Sequence, residues 1–281
     1  MVLPIVHSPA YDADFDPAHR FPMGKYSELA RILVEDGLAA PGTFIVPEPA
    51  PANWVKRAHA GEYVDQVYAF DVPTDIQKAI GFELTKKAIL RAQCATTGTV
   101  LAATAALENG VACNSAGGSH HAHRLHGAGF CTFNDVAVAA HYLLAEEAVR
   151  QIMIVDLDVH QGDGTADIFA QDPRVFTASI HAENNYPTDK KISNFDLGLP
   201  NDLDDTHYLK TLALALEELR AVVPSPDIIY YNAGVDVHAD DRLGKLALTN
   251  HGIEKRERLV FSHYHNRGIP VCGVIGGGYS R

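Results

Sequence analysis

Six short apolar runs punctuate the chain: Leu3–Val6, Val111–Asn114, Ile152–Val155, Val175–Ile180, Ile228–Tyr231 and Val271–Ile275. Most are rich in β-branched residues and lack polar alternation, as expected of strands covered on both faces. Stretches with helical spacing separate them. Ala88–Leu107 carries Ala, Leu and Val at i, i+3 and i+4 intervals and stops at Asn109-Gly110, a good C-terminal signal. Val136–Val149 follows Asn134-Asp135, either of which would serve as a cap, and Thr206–Val222 ends before Pro224. This alternation predicts an α/β fold: a single domain with a mostly parallel central sheet and helices on both faces. A length of 281 residues fits one such domain. No internal repeat, low-complexity tract or long Gly/Ser linker divides the chain, and PEPAP at 47–51 reads as a surface connection.

Polar residues stand where the apolar runs stop. The second run leads into Ser115-Ala-Gly-Gly-Ser-His120-His121, and the third into Asp156-Leu-Asp158-Val-His160-Gln-Gly-Asp163. The fourth leads into His181, the fifth into Asn232-Ala-Gly-Val-Asp236 and the sixth into Gly276-Gly-Gly-Tyr279. Open parallel sheets bind ligands beyond the carboxyl ends of their strands. Five strand ends, distant in sequence, are therefore predicted to place His, Asp and Tyr around one crevice.

Composition narrows the partners. With 23 Lys and Arg against 35 Asp and Glu, the net charge of −12 is unfavourable for gripping the phosphates of nucleic acid, although it would tolerate a cationic substrate. No apolar run reaches the roughly 18 residues of a membrane span. The start, MVLPIVHSPAYDADF, lacks the basic and apolar regions of a secretory signal. Neither a membrane nor direct nucleic-acid contact is expected, and the oligomeric state is not specified. Cys94, Cys113, Cys131 and Cys272 lie far apart without a C-x-x-C pair, which points to a reducing cytoplasm rather than a disulfide framework or a thiolate zinc site. The 15 histidines, in contrast, gather in a few glycine-bearing stretches.

In extended backbone, Asp156, Asp158 and His160 share a side, and burying them unpaired would be expensive. A divalent cation removes that cost. Asp158, His160 and one further carboxylate supply two formal negative charges and leave coordination open, with Asp236 the natural third ligand. Three protein ligands describe a catalytic zinc site better than a structural one, with Fe²⁺ or Co²⁺ as alternatives. A capped strand end with surface carboxylates is the competing reading of this segment. Beside a metal, His120 or His121 would move a proton between water and a leaving group, oriented by Asp156 and Asp163. Gly276–Tyr279 lacks the G-x-G-x-x-G spacing and a Walker lysine, so Tyr279 reads as a hydrogen-bond donor to an amide oxyanion, or as part of a plain turn. Phe130 and Tyr186 read either as walls of an apolar passage or as ordinary packing. Asp240-Asp241-Arg242 reads as a solvated turn with a local ion pair. No Ser-His-Asp order or G-x-S-x-G elbow favours a serine hydrolase.

Together the segments GGSHHA (117–122), GAGFC (127–131), DLDVHQGDG (156–164), NAGVD and DDRLG (232–244) and GGGY (276–279) resemble the zinc-dependent histone deacetylases of the arginase/deacetylase fold. They occur in family order and span most of the chain. HRFPMGKYSELARIL (19–33) and the stretch from Pro226 to Phe261 look most like the class IV branch. The resemblance implies zinc ligands at Asp158, His160 and Asp236. It implies a His120–Asp156 pair and a His121–Asp163 pair, with His121 as general base and acid, and Tyr279 on the substrate carbonyl. Gly129, Phe130 and Tyr186 would line an acyl-lysine channel. A structural potassium ion is implied near Asp156, Asp158, His160, Ser179 and Ile180, partly through backbone oxygens. Two departures stand out. Class IV relatives can carry Asn where Asp163 stands. Family members also usually continue past the tyrosine into a terminal helix, whereas this sequence stops at Arg281; either a tail is missing here or, if that end is native, a looser tyrosine loop is expected. The implied activity is hydrolysis of an acyl-lysine amide, acetyl or longer, on a peptide or protein. An acetylated polyamine or other small amide is the alternative substrate, and a non-catalytic acyl-lysine or metal-binding module the alternative class.

Overall fold

The computed structural model describes residues 3–16 and 18–280; the chain end at Arg281 lies outside them. Seven strands form one sheet: β1 (Ile5–Val6), β2 (Val111–Asn114), β3 (Ile152–Asp156), β4 (Val175–Ala182), β5 (Phe195–Leu199), β6 (Ile228–Asn232) and β7 (Val271–Val274). Their spatial order is β1-β2-β7-β6-β3-β4-β5, and every neighbouring pair is parallel. Among the described residues the helices are α1 (Lys25–Glu35), α2 (Ala52–Val55), α3 (Gly61–Tyr68), α4 (Thr74–Ile80), α5 (Lys86–Asn109), α6 (Asp135–Ala145), α7 (Asp163–Phe169), α8 (Asp205–Val222) and α9 (Asn250–His265). The α/β fold expected from the alternation is the fold observed. None of these helices is long and apolar enough to cross a membrane.

The unbroken apolar runs have a direct cause. Ile152 and Ile154 of β3 pack with Ile228 and Tyr230 of β6 in a core shared with α5 and α6. Met153 and Val155 pack with Ile229 and Tyr231 in a second core shared with α8 and α9. Each strand is thus apolar on both faces, and each fully buried Ile or Val contributes about 1.5–3 kcal/mol to the hydrophobic term. Side-chain caps fix the helices between them: Thr85 accepts from the Ala88 N–H, Asn134 from Ala137 and Asp204 from His207.

Three details depart from the sequence pattern. β5 was not anticipated: its Phe-Asp-Leu-Gly-Leu run is short, half exposed and at the sheet edge, where neither β-branching nor two-sided burial marks it. α6 stops at Ala145 rather than Val149. Glu147 there adopts a left-handed φ of 54°, and the N–H groups of Glu147 and Ala148 turn back to the carbonyls of Leu144 and Leu143. That closure ends a helix as a glycine would. α9 is a regular helix although HGIEKRERL is mostly polar, because only one stripe, including Val260 and Tyr264, reaches the core.

The topology locates the crevice. β3 runs through α7 to β4 on one side, while β6 runs through α9 to β7 on the other. The β3–β6 boundary is therefore a switch point, where the loops after neighbouring strands diverge and leave a ligand-sized gap. Arg256 of α9 underpins this gap. It is fully buried, and its guanidinium donates to the carbonyls of Gly234 (2.7 Å), Leu157 (3.2 Å) and Ala233 (3.3 Å) and to Glu257 (2.5 Å). Removing it leaves Glu257, the buried carbonyls of Leu157 and Gly234 and the partly buried carbonyl of Ala233 without this donor. Arg256→Ala is predicted to lower the unfolding free energy by about 3–5 kcal/mol in urea denaturation, and a loss below about 1 kcal/mol would contradict this role.

Candidate metal centre and active site

Alternation continues past the end of β3. Leu157 and Val159 enter the core with Met153 and Val155, so Asp156, Asp158 and His160 are left on the opposite side. Local turns then lock the loop: the Asp158 N–H donates to Asp156 Oδ1 (3.1 Å) and the His160 N–H to Asp158 Oδ1 (3.0 Å). From the end of β6, Asp236 faces the same point, with Oδ1 accepting from the Val159 N–H at 2.9 Å. One ligand atom from each of Asp158, His160 and Asp236 lies within 4.8 Å of the others, and all three residues are buried. The sequence-predicted ligands thus converge, and the surface-carboxylate reading fails on their burial.

The polar bookkeeping of this trio is incomplete without positive charge. Asp236 Oδ2 is buried and makes no hydrogen bond, although it lies 3.2 Å from His160 Nδ1. Burial, then the neighbouring Asp158, pushes the Asp236 carboxyl up to about 6. Burial would lower His160, yet contacts with Asp158 and Asp236 outweigh it and raise the group to about 10. A cradle that tightens so strongly on a proton suits a cation, and its O/N/O donor set fits a divalent ion. Gly277 is required here for a different reason: a Cβ at that position would lie 2.0 Å from Asp236 Oδ2, while its N–H donates to Asp158 Oδ2 at 2.7 Å.

Two imidazoles border the trio, with ring centroids 4.1 Å apart. His120 Nδ1 is 2.7 Å from Asp156 Oδ2, and His121 Nδ1 is 2.5 Å from Asp163 Oδ1, which are the two expected pairings. Their environments push them in opposite directions. Burial opposes protonation of His120, but Asp156 and then Asp158 outweigh it and raise the group to about 9. For His121, burial and then the neighbouring His120 prevail over Asp163 and lower it to about 4. Asp163 opens α7, where unpaired helix amides favour its negative charge.

Sequence reasoning missed a third histidine in this network. His123 Nε2 lies 3.1 Å from Asp163 Oδ2, and its Nδ1 lies 3.2 Å from Asp167 Oδ2. His121, Asp163, His123 and Asp167 therefore form a continuous chain of alternating imidazoles and carboxylates. A signal was present, since Asp163 and Asp167 are four apart on one face of α7.

The tyrosine loop is held by contacts on several sides. Tyr279 is buried, its N–H donates to Asp241 Oδ2 at 2.6 Å, and its carbonyl accepts from Arg242 Nε at 2.8 Å. Lys25 Nζ holds the carbonyl of Gly276 at 3.1 Å. The solvated turn predicted for Asp240-Asp241-Arg242 is thus instead a clamp, and among the described residues Asp241 and Arg242 form no ion pair. A channel of about 320 Å³ reaches the site, lined by Gly129, Phe130, Tyr186, His121, His160 and Tyr279 together with Ile80 and Leu243. Tyr186 stands edge-on to His121 with ring centroids 4.7 Å apart. Gly129 adopts a φ of 53° and packs so tightly that a Cβ would lie 2.6 Å from His121 Cδ2. His181, expected at the crevice, lies inside β4 with Nδ1 3.0 Å from Ser179 Oγ, and does not line the channel. Asp156 and Ser179 are register partners across β3 and β4, and Ile180 is buried beside them, so the residues implied for potassium are also neighbours.

The fit to a dication has a measurable consequence. Zn²⁺ added to metal-stripped protein is predicted to stabilise it by about 2.7 kcal/mol at 100-fold above the Kd, read as a rise in Tm. Asp236→Asn should abolish the rise. An equal rise in the variant would contradict the ligand set.

Comparison with known proteins bears on the same architecture. The model of the histone deacetylase domain matches residues 19–281. An uncharacterized protein of a Picosynechococcus strain is 46% identical, covering 100% of this chain and 93% of its own. Histone deacetylase 2 of Arabidopsis thaliana is 28% identical over 99% of this chain and 74% of its own. The crystal structure of a histone deacetylase homologue complexed with SAHA superposes with a TM-score of 0.86 at 25% identity, covering 99% of this chain and 80% of that one. Since the family match takes in every strand after β1 and every residue of the site, the chain belongs to the histone deacetylase family.

Proposed function

We propose that the chain is a metal-dependent deacylase that hydrolyses the amide of acyl-lysine, acetyl or longer. The observation that carries this reading is the meeting of His121, His160 and Tyr279 in one channel whose wall also includes Ile80, Phe130 and Leu243. Asp158, His160 and Asp236 would hold the ion, Zn²⁺ by their donor set and Fe²⁺ or Co²⁺ as alternatives. When bound, such an ion polarises a carbonyl and acidifies water.

The chain's own groups divide the remaining work. Gly129, Phe130 and Tyr186 enclose the acyl-lysine stem and exclude solvent from the buried end. His121 gives its Nδ1–H to Asp163, which leaves Nε2 with a free lone pair. Being neutral, it accepts a proton from the water whose oxygen bonds to the acyl carbon. His120, held protonated by Asp156, contributes fixed positive charge beside the reaction. Tyr279 keeps its phenolic proton, because burial, then Asp158 and Asp236, raises it well above the usual range. It donates a hydrogen bond to the oxygen that gains charge as the carbonyl becomes tetrahedral. As the C–N bond breaks, His121 returns its proton to the departing lysine nitrogen, giving a carboxylic acid and a free amine. The two imidazoles thus take different roles because their surroundings separate their proton affinities.

His121→Ala and Tyr279→Phe are each expected to lower kcat on an acetyl-lysine peptide by about 10²-fold or more with Tm retained, and losses below tenfold would contradict the assignment. His123 acts through Asp163 and not on substrate. His123→Leu should therefore lower kcat several-fold at unchanged KM, and His123→Gln, which keeps an N–H donor, should recover most of it. A KM effect or no recovery would count against that placement.

A further inference from the structure

The channel wall contains an asymmetry that the chemistry above leaves unused. Its inner end is made of buried groups, with His121 at 3% and His160 at 6% exposure, whereas Arg20 in the same wall is exposed and so marks the solvent end. Apart from the imidazoles, Arg20 is the one ionisable cation in that wall, and no carboxylate lines it among the described residues. Nor does Arg20 form an ion pair with any described carboxylate. In a chain of net charge −12, a lone free guanidinium at the channel mouth is a local reversal of sign.

The backbone around Arg20 is fixed. His19 Nδ1 accepts from the Phe21 N–H at 3.0 Å, which leaves Nε2 to donate to the Gly81 carbonyl at 3.3 Å, and Gly81 is itself part of the wall. The His19 ring packs at 6.1 Å from Phe130, and the Phe21 ring lies 5.5 Å from Phe130 and 6.1 Å from Tyr279. Both neighbours of Arg20 are thus seated on channel residues, so its side chain projects from an anchored rim.

Building on the deacylase reading, we propose that Arg20 selects acyl-lysine substrates bearing a carboxylate on the lysine side of the amide, and that acylated polyamines are poor substrates. The acyl group occupies the inner end beside Tyr279, so whatever follows the lysine nitrogen outward meets the rim. A guanidinium there forms a two-point pair with a carboxylate and repels a second ammonium. The carboxylate has two sources, a flanking Asp or Glu of a peptide or the α-carboxylate of acyl-lysine itself.

The test uses the metal-loaded full chain and reads both Kd by calorimetry and kcat/KM. Three acetyl-lysine pentapeptides differing only in one flanking residue (Asp, Asn or Lys) are compared with free Nε-acetyl-lysine, its carboxamide and a monoacetylated diamine. Exposed ion pairs are worth about 0.2–1 kcal/mol, so the Asp peptide should bind up to about fivefold more tightly than the Asn peptide, with the Lys peptide and the diamine weakest. The difference should appear in KM and shrink with added salt. A preference for acetyl-lysine over its carboxamide assigns the free amino acid as a source, and a preference confined to the peptides assigns the flank. Arg20→Ala should level the order and Arg20→Glu invert it. Equal Kd values across the series, tighter binding of the diamine, or an order unchanged in Arg20→Glu would overturn the proposal. An ordered Kd series without turnover would refute the deacylase reading and leave the charge selection standing.

Discussion

Two carboxylates buried side by side demand a positive charge between them, because a low-dielectric interior disfavours each anion and multiplies their repulsion. Asp158 and Asp236 are such a pair, and the surrounding structure is arranged to keep them together. Val159, Gly277 and His160 present backbone N–H groups to three of their four oxygens. The fourth, Asp236 Oδ2, is left facing His160 without a hydrogen bond. Those N–H groups fix the direction of each carboxylate without neutralising it. Arg256 is close in the fold but donates to backbone carbonyls behind the site, so it braces the loops and leaves the demand for charge unmet.

From this constraint the rest of the site follows outward. Asp158 and Asp236 lie next to each other because β3 and β6 are register neighbours, while the connections after them diverge. That divergence opens the gap into which the loops carrying His120, His121 and Tyr279 fold. The carboxylates then sort the imidazoles: Asp156 and Asp158 draw a proton to His120, and the resulting charge helps keep His121 neutral. A pair of identical side chains, adjacent in sequence, is thus pushed in opposite directions.

The sheet and the site were legible in the sequence to different depths. Strands buried on both faces announce themselves as unbroken apolar runs, which is why β2, β3, β4, β6 and β7 emerged nearly at their final limits. β5 at the edge and the polar α9 did not, because each buries only part of its surface. The Asp158–His160–Asp236 trio and both His–Asp pairs were readable because ionisable residues directly after an apolar strand have few ways to be buried. Contacts that depend on loop paths were hidden. Asp241 and Arg242 look like a solvated pair until the Tyr279 backbone arrives between them, and His123 looks like one more loop histidine until α7 sets Asp167 beside it. His181 erred in the opposite direction: its strand runs two residues further than the apolar run and keeps the ring away from the channel.

The claim that one dication sits between Asp158, His160 and Asp236 is tested most directly by crystallographic anomalous scattering, with data recorded on either side of the zinc absorption edge from metal-loaded protein. The account predicts one strong edge-dependent peak per chain within about 2.0–2.2 Å of a nitrogen of His160 and an oxygen of each aspartate. A peak elsewhere in the chain, or none at this point while Asp236 Oδ2 remains unpartnered, would contradict it.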